Sequence, residues 1–135
     1  MTPKHLCNDD EVLFRQIHPI FFENGHLSSS PFVATMKDDG KLSVDRSAIT
    51  TAKDAFVLYT GNGFKSCGVV GLAIGEFRAE DLLCLSDPID ATDTLAANPA
   101  HAYADYAHYT SNQIKNKAKR LKQRAISRGV LYQAD

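Results

Sequence analysis

The segment from Ser111 to Gly129 constrains the fold most, because it carries the clearest helix signal in the chain. Ser111 is a favourable N-cap residue and Gly129 a favourable C-terminal stop. Between them, apolar residues recur at helical spacing and form a narrow stripe that is half alanine. The stripe consists of Ile114, Ala118, Leu121 and Ala125. We therefore predict a helix that packs closely against a globular body while most of its circumference stays in water.

The same segment concentrates positive charge. Seven of the fifteen Lys and Arg residues lie between Ser111 and Arg128, where there is no Asp or Glu. Residues 1–110 hold eight basic and fifteen acidic residues, a net charge of about −7, against about +6 for residues 111–135. Such asymmetry indicates a charged partner or internal docking. The candidate partner-binding or anion-binding residues are Lys115, Lys117, Lys119, Arg120, Lys122 and Arg124.

Short apolar segments before this helix predict an α+β fold with a small mixed or antiparallel sheet. The best central strand is 69–74, which is apolar on both faces. Segments 32–35 and 42–44 flank an Asp-Asp-Gly turn and predict a hairpin. Thr51 predicts the start of one central helix, and Gly61 its end.

The chain length and cysteine usage predict one intracellular domain. Residues 12–135 are expected to form a single globular α+β domain, preceded by a flexible N-terminal arm of residues 1–11. No apolar stretch is long enough to span a bilayer, and residues 1–5 lack the apolar core of a secretory signal. Three widely separated cysteines favour reduced thiols over a disulfide framework or a zinc ribbon. We expect a cytoplasmic protein without a membrane association.

Four residues form a candidate catalytic set: Arg15, His18, Ser43 and His101. Arg15, His18 and Ser43 lie near the ends of predicted strands, where side chains can converge on a shared pocket. A histidine there can act as a general base while the arginine binds an anion. The chain has no nucleophile elbow, P-loop or dinucleotide fingerprint, so these residues predict a pocket without defining a reaction.

Residues 101–109 allow two interpretations. Asn98 followed by Pro99 is typical of a helix start, and a helix would place His101, Asp105 and His108 on one face, where they could ligate zinc or iron. Alternation of small or aromatic residues with polar ones fits a strand equally well, and a strand would turn His108 away from the other two. No specific metal-binding spacing is present, so we predict neither a metal nor a cofactor.

Four motifs give the chain a recognisable pattern. They are Leu13-x-Arg15-x-x-His18-Pro19, Leu42-Ser43-Val44, Asn98-Pro99-Ala100-His101-Ala102 and Lys117-Ala118-x-x-Leu121. Across about residues 12–132 the chain resembles a family of short, uncharacterised bacterial proteins. The resemblance implies a strand at 101–106, and it implies no established activity. Short bacterial proteins of this kind are often partners of toxins or of defence systems, which is an association and not a mechanism.

The sequence thus supports three functional hypotheses. The first is a non-enzymatic bacterial interaction protein, of the toxin-immunity, antitoxin or defence type, with a protein partner. The second is a small enzyme or nucleotide-binding protein that uses the His, Arg and Ser pocket. The third is nucleic-acid binding through the basic helix, which predicts strongly salt-dependent affinity.

Overall fold

An antiparallel sheet organises the chain, which is described here by a computed structural model at residues 4–23, 26–35, 37 and 39–134. Within those residues the sheet has seven strands in the order β1-β7-β8-β5-β2-β6-β9, and a second sheet pairs β3 with β4. Every pairing is antiparallel, which confirms the α+β prediction and selects one of its two sheet types. The strands are β1 Lys4–His5, β2 Val12–Ile17, β3 Phe22–Glu23, β4 His26–Leu27, β5 Lys41–Arg46, β6 Gly68–Ala73, β7 Leu83–Ser86, β8 His101–Asp105 and β9 Tyr132–Gln133.

Three α-helices accompany the sheet in the described residues: α1 Ala52–Gly61, α2 Ile74–Arg78 and α3 Ser111–Arg128. Thr51 caps α1, since its side chain accepts from the Asp54 N–H at 3.1 Å. Thr110, one residue before the predicted Ser111, caps α3 and forms a reciprocal capping box with Gln113. Gly129 ends α3 at φ 92°, a conformation that favours glycine. The central helix and the basic C-terminal helix are therefore confirmed.

The sheet separates two apolar clusters. The stripe predicted on α3 is buried in the larger cluster, together with Leu13 and Ile17 of β2. Phe14, the intervening β2 residue, points the other way and joins Val69 and Ala55 in a smaller cluster beneath α1. The two-residue alternation of β2 thus supplies both layers, because successive side chains of a strand lie on opposite faces.

The predicted hairpin of 32–35 with 42–44 is wrong. Residues 30–32 form a 3-10 turn with Pro31 in its first turn, residues 33–35 are not in a strand, and β5 pairs with β2 and β8 instead. The Asp-Gly turn exists, with φ 56° at Asp39 and 71° at Gly40. Phe32 is fully buried, and its carbonyl oxygen accepts from the Tyr106 hydroxyl at 2.8 Å, so tertiary contacts override its strand propensity.

The described N-terminal residues contact the body through β1, Asp9 and Glu11. β1 pairs with β7, with Lys4 opposite Ser86. Glu11 is buried and accepts two hydrogen bonds from the Arg46 guanidinium, at 2.9 and 3.0 Å. Among the helices of the described residues, none has the length and apolar character needed to cross a membrane.

Candidate functional site

Three side chains form a row across three neighbouring strands on the α1 face of the sheet. Phe14 of β2 is the register partner of Asp45 of β5, and Asp45 is the register partner of His101 of β8. The adjacent Arg46 N–H donates to the Ala100 carbonyl at 2.9 Å. Asp45 and His101 therefore occupy a non-hydrogen-bonded position, where side chains approach most closely in an antiparallel pair.

This row lies at one wall of a cavity of about 280 Å³. The cavity is bounded by the sheet, the C-terminal half of α1 and the loop of residues 87–100, and its other walls are mostly apolar. Its apolar lining beyond the row includes Leu58, Tyr59, Phe64, Ile89, Leu95 and Ala96. The rings of Tyr59 and Phe64 stack with centroids 5.0 Å apart. A concave apolar site with a few convergent polar groups is typical of small-molecule binding.

Asn98 fastens the loop over the cavity. Its backbone pairs with that of Ile89 in both directions, at 2.9 and 2.8 Å, and its side-chain N–H donates to Asp45 Oδ1 at 2.7 Å. At the other end of the cavity, Asn62 Oδ1 accepts from the Ala96 N–H at 2.9 Å. The loop is therefore attached both to the sheet and to the end of α1. Asn98 has this role instead of capping a helix.

The carboxylate of Asp45 is buried and only partly satisfied. Asp45 is 8% exposed, and its Oδ1 accepts a hydrogen bond from the Asn98 side chain. Burial raises the pKa of Asp45, while the Asn98 hydrogen bond and the positive charges associated with His101 and Arg15 lower it by less. No hydrogen-bond donor in the described parts of the chain reaches Oδ2. Asp45 thus presents an acceptor in an environment that disfavours its charge.

The contacts of His101 fix its tautomer. Nδ1 lies 2.9 Å from the Asp87 carbonyl oxygen and 3.3 Å from Asp87 Oδ2. Both neighbours are acceptors, so Nδ1 carries a hydrogen, and in the neutral form of the ring Nε2 carries the lone pair. None of the described residues hydrogen-bonds to Nε2. The cavity therefore has a second acceptor beside Asp45.

The structure brings together three of the four predicted catalytic residues. Arg15, Ser43 and His101 line the cavity, and His18 is not among its lining residues. His18 lies in the turn after β2, where Nδ1 accepts from the Ile20 N–H at 3.2 Å. Only part of the predicted set therefore shares one site.

Arg15 has a structural role in this site, because it links neighbouring backbone segments through hydrogen bonds. Strands β2 and β5 pair at two positions, Leu13 with Arg46 and Phe14 with Asp45. Immediately beyond them, the Arg15 guanidinium donates to the Ser43 carbonyl of β5 at 3.0 Å and to the Pro31 carbonyl at 2.7 Å. Its side chain therefore joins β2 to β5 and to the 3-10 turn where direct strand pairing stops.

Sequence reasoning missed Asp45 and Gln16 as site residues. Asp45 lies two residues after Ser43 on the same strand face, and aspartate is depleted in strands, so its position was an available signal. Gln16 also lines the cavity; its Oε1 accepts from the Ser66 hydroxyl at 2.7 Å, and its Nε2 is enclosed without a partner among the described residues. No local pattern marks Gln16, because only the fold brings residue 66 beside it.

The cations of α3 divide between the two sides of its apolar stripe. Arg120 pairs with Glu80 at 2.7 Å, Arg124 lies 4.0 Å from Glu76, and Arg128 also pairs with Glu76. Both carboxylates belong to the α2 region, so internal docking neutralises this side of the helix. Arg120 and Arg124 thus already have acidic partners within the chain.

Lys117, predicted to contact a partner, is instead 8% exposed. Its ammonium donates to the Glu80 carbonyl and lies 4.2 Å from the centroid of the Tyr109 ring. Lys115, Lys119 and Lys122 lie on the opposite side of the stripe at i, i+4 and i+7, and the described ion pairs include none of them. We call these three residues the lysine face. They are the part of the predicted surface that remains open to recognition.

The metal alternative for residues 101–109 required a helix, and His101–Asp105 is a strand with His108 beyond its end. Across the described residues, no group of three or more His, Cys, Asp or Glu side chains could hold a metal ion. Comparisons of the chain with family models, curated proteins and solved structures found no match. The cavity and the lysine face are therefore the features from which a function can be inferred.

Proposed function

We propose that the protein binds a small organic molecule in the cavity between the sheet, α1 and the loop of residues 87–100. The Asp45–His101 pair is the observation that carries this proposal. Burying a carboxylate without a full set of hydrogen bonds lowers stability, and such departures from a well-satisfied core are typical of functional sites. The cavity volume of about 280 Å³ lies near the lower end of the range for ligand pockets, which favours a compact ligand.

A cavity-filling variant tests the proposal without changing the sheet. Ala96 lines the cavity from the exposed loop, so Ala96→Trp should occupy it, while its backbone N–H can still donate to Asn62. Ala97→Trp is the matched control, because Ala97 is exposed and is not a lining residue. We would screen small cationic, neutral and anionic molecules by ligand-observed NMR. Binding to the wild type and Ala97→Trp, with loss in Ala96→Trp, is expected; equal binding to all three would place the ligand elsewhere.

A second proposal concerns the lysine face and a protein partner. The chain would be a cytoplasmic bacterial interaction protein of the immunity, antitoxin or defence type, as the sequence resemblance suggests. The three lysines lie on one side of α3 and make no intramolecular ion pair with the described residues. Such a surface would complement an acidic surface on a protein partner. This role can coexist with the cavity, because the lysines are not among its lining residues.

Charge reversal separates the partners that the lysine face could recognise. Lys115→Glu, Lys119→Glu and Lys122→Glu together should abolish co-purification of an acidic protein. The control, with equal charge change, reverses Lys4, Lys53 and Lys65, which are exposed elsewhere. Retained co-purification in the lysine-face variant would contradict the proposal. Binding of an oligonucleotide that weakens steeply with salt and is lost only in that variant would favour the nucleic-acid alternative.

A further inference from the structure

Two hydrogen-bond acceptors lie side by side at the sheet wall of the cavity. Asp45 Oδ2 and the lone pair of His101 Nε2 come from cross-strand neighbours, and no described residue donates to either atom. Asp45 is more than nine-tenths buried, so solvent screens its charge less than at the surface. A ligand that satisfied both atoms would have to donate at least two hydrogens.

The charged donor of the cavity lining is already engaged within the protein. The Arg15 guanidinium donates to the Pro31 and Ser43 carbonyls, and the Asn98 amide donates to the other oxygen of Asp45. Gln16 Nε2, a neutral donor, is enclosed without a partner among the described residues. Lysine is absent from the lining that the described residues provide. An anionic ligand would therefore meet the Asp45 carboxylate without a dedicated cation to offset the repulsion.

The walls favour an apolar and flat ligand body. Phe14, Tyr59 and Phe64 contribute three aromatic side chains, and the last two stack on each other. Aromatic faces attract cations as well as apolar rings.

We propose that the ligand of this cavity is a small organic cation, a protonated amine or amidine attached to an apolar or aromatic body. The cation would donate to Asp45 Oδ2 and His101 Nε2 while its body packs against the aromatic walls. This inference rests on the proposed small-molecule function and names the chemical class of the ligand. It assigns Asp45 as the residue that determines the sign of the ligand's charge.

The test uses matched probes on the full chain: benzylamine and benzamidine as cations, benzyl alcohol as the neutral isostere and benzoate as the anion, each titrated by calorimetry. The cations should bind at least about tenfold more tightly than benzyl alcohol, since charge-assisted hydrogen bonds are roughly twice as strong as neutral ones. Benzoate should be the weakest. In Asp45→Asn the preference for cations over benzyl alcohol should disappear.

The outcomes separate the two proposals. If benzyl alcohol or benzoate binds as tightly as the amines, and Ala96→Trp blocks that binding, the cavity is a ligand site but its ligand is not a cation. If no small molecule binds in the screen, both proposals are wrong. The wild-type ranking decides the inference even if Asp45→Asn does not fold, and circular dichroism establishes whether it does. Amine binding that persists unchanged in both Ala96→Trp and folded Asp45→Asn would place the amine outside the cavity and overturn the inference.

Discussion

Asp45 on β5 and His101 on β8 are register partners, and each is held by a different residue of the same loop. Asn98 donates to Asp45 Oδ1 at 2.7 Å, and Asp87 contacts His101 Nδ1 at 2.9 Å through its carbonyl. The two ends of the loop thus orient the two polar residues of the cavity. Folding of this loop and formation of the site are therefore coupled.

Asp45→Asn should unfold at the same or higher denaturant concentration than the wild type at neutral pH. Burial raises the pKa of Asp45 above 3.8, so the folded state binds this proton more tightly than the unfolded state. Ionisation of Asp45 therefore lowers the free energy of unfolding as the pH rises from 3.8 through the raised pKa. Asn cannot ionise and can still accept from Asn98.

Urea unfolding of the wild type and Asp45→Asn across this pH range measures the effect as a difference between the two proteins. The difference should grow in favour of the variant as the pH rises and then become constant. The Asn98 hydrogen bond, the charge of His101 when its ring is protonated, and the charge of Arg15 act against the shift. A variant that loses stability relative to the wild type as the pH rises would show that these groups outweigh burial.

Lys117→Ala should destabilise the fold by about 1–3 kcal/mol, because it removes a buried donor from the Glu80 carbonyl and the contact with the Tyr109 ring. Lys115→Ala is the matched control on the exposed side of α3, and surface changes of this kind usually stay within about 0.5 kcal/mol. Denaturant unfolding of both variants makes the comparison. Equal destabilisation by the two substitutions would contradict the stabilising role of the two Lys117 contacts.

Gly68→Ala should weaken the attachment of β9 by about 1–3 kcal/mol, since overpacking of a filled site destabilises by that amount. A Cβ at Gly68 would lie 2.7 Å from the Tyr132 carbonyl oxygen, which is backbone and cannot rotate away. Gly61→Ala is the control at the end of α1: a Cβ there meets nothing within 4 Å. It should be neutral or stabilising by up to about 1 kcal/mol. Thermal unfolding that ranks the two variants in the opposite order would contradict this account.

Cys84 should resist thiol reagents in the folded protein, whereas Cys7 should react. Burial raises the pKa of the Cys84 thiol to about 12, so almost no thiolate forms at pH 8, and the side chain is inaccessible. Cys7 is exposed. Labelling monitored by mass spectrometry should modify Cys84 only after denaturant is added, and Cys7→Ser should remove the reaction at the exposed thiol. Rapid labelling of Cys84 in the native state would indicate local opening of β7.

Elements whose information is local could be predicted from the sequence. The α3 stripe repeats at helical spacing and is followed by a glycine, and Thr51 with Asp54 marks the start of α1. The segment 69–74 is apolar on both faces because β6, which covers residues 68–73, lies between other strands and beneath helices. Each of these signals lies within a short stretch of sequence, where residue propensity and hydrophobic periodicity can be read directly.

Strand partners and the composition of the site depended on contacts between distant residues. The segment 32–35 has strand-like residues, yet burial of Phe32 and its hydrogen bond to Tyr106 hold the preceding turn. Sequence alone therefore predicted α1, α3, the buried strand β6 and the total charge of α3, but not α2, whose first residue, Ile74, lies in the predicted strand 69–74. Only the tertiary structure decided that Asp45 meets His101 and that the arginines of α3 meet Glu76 and Glu80. The physical reason is that pairing energies arise between groups 40 to 60 residues apart, and no local pattern records them.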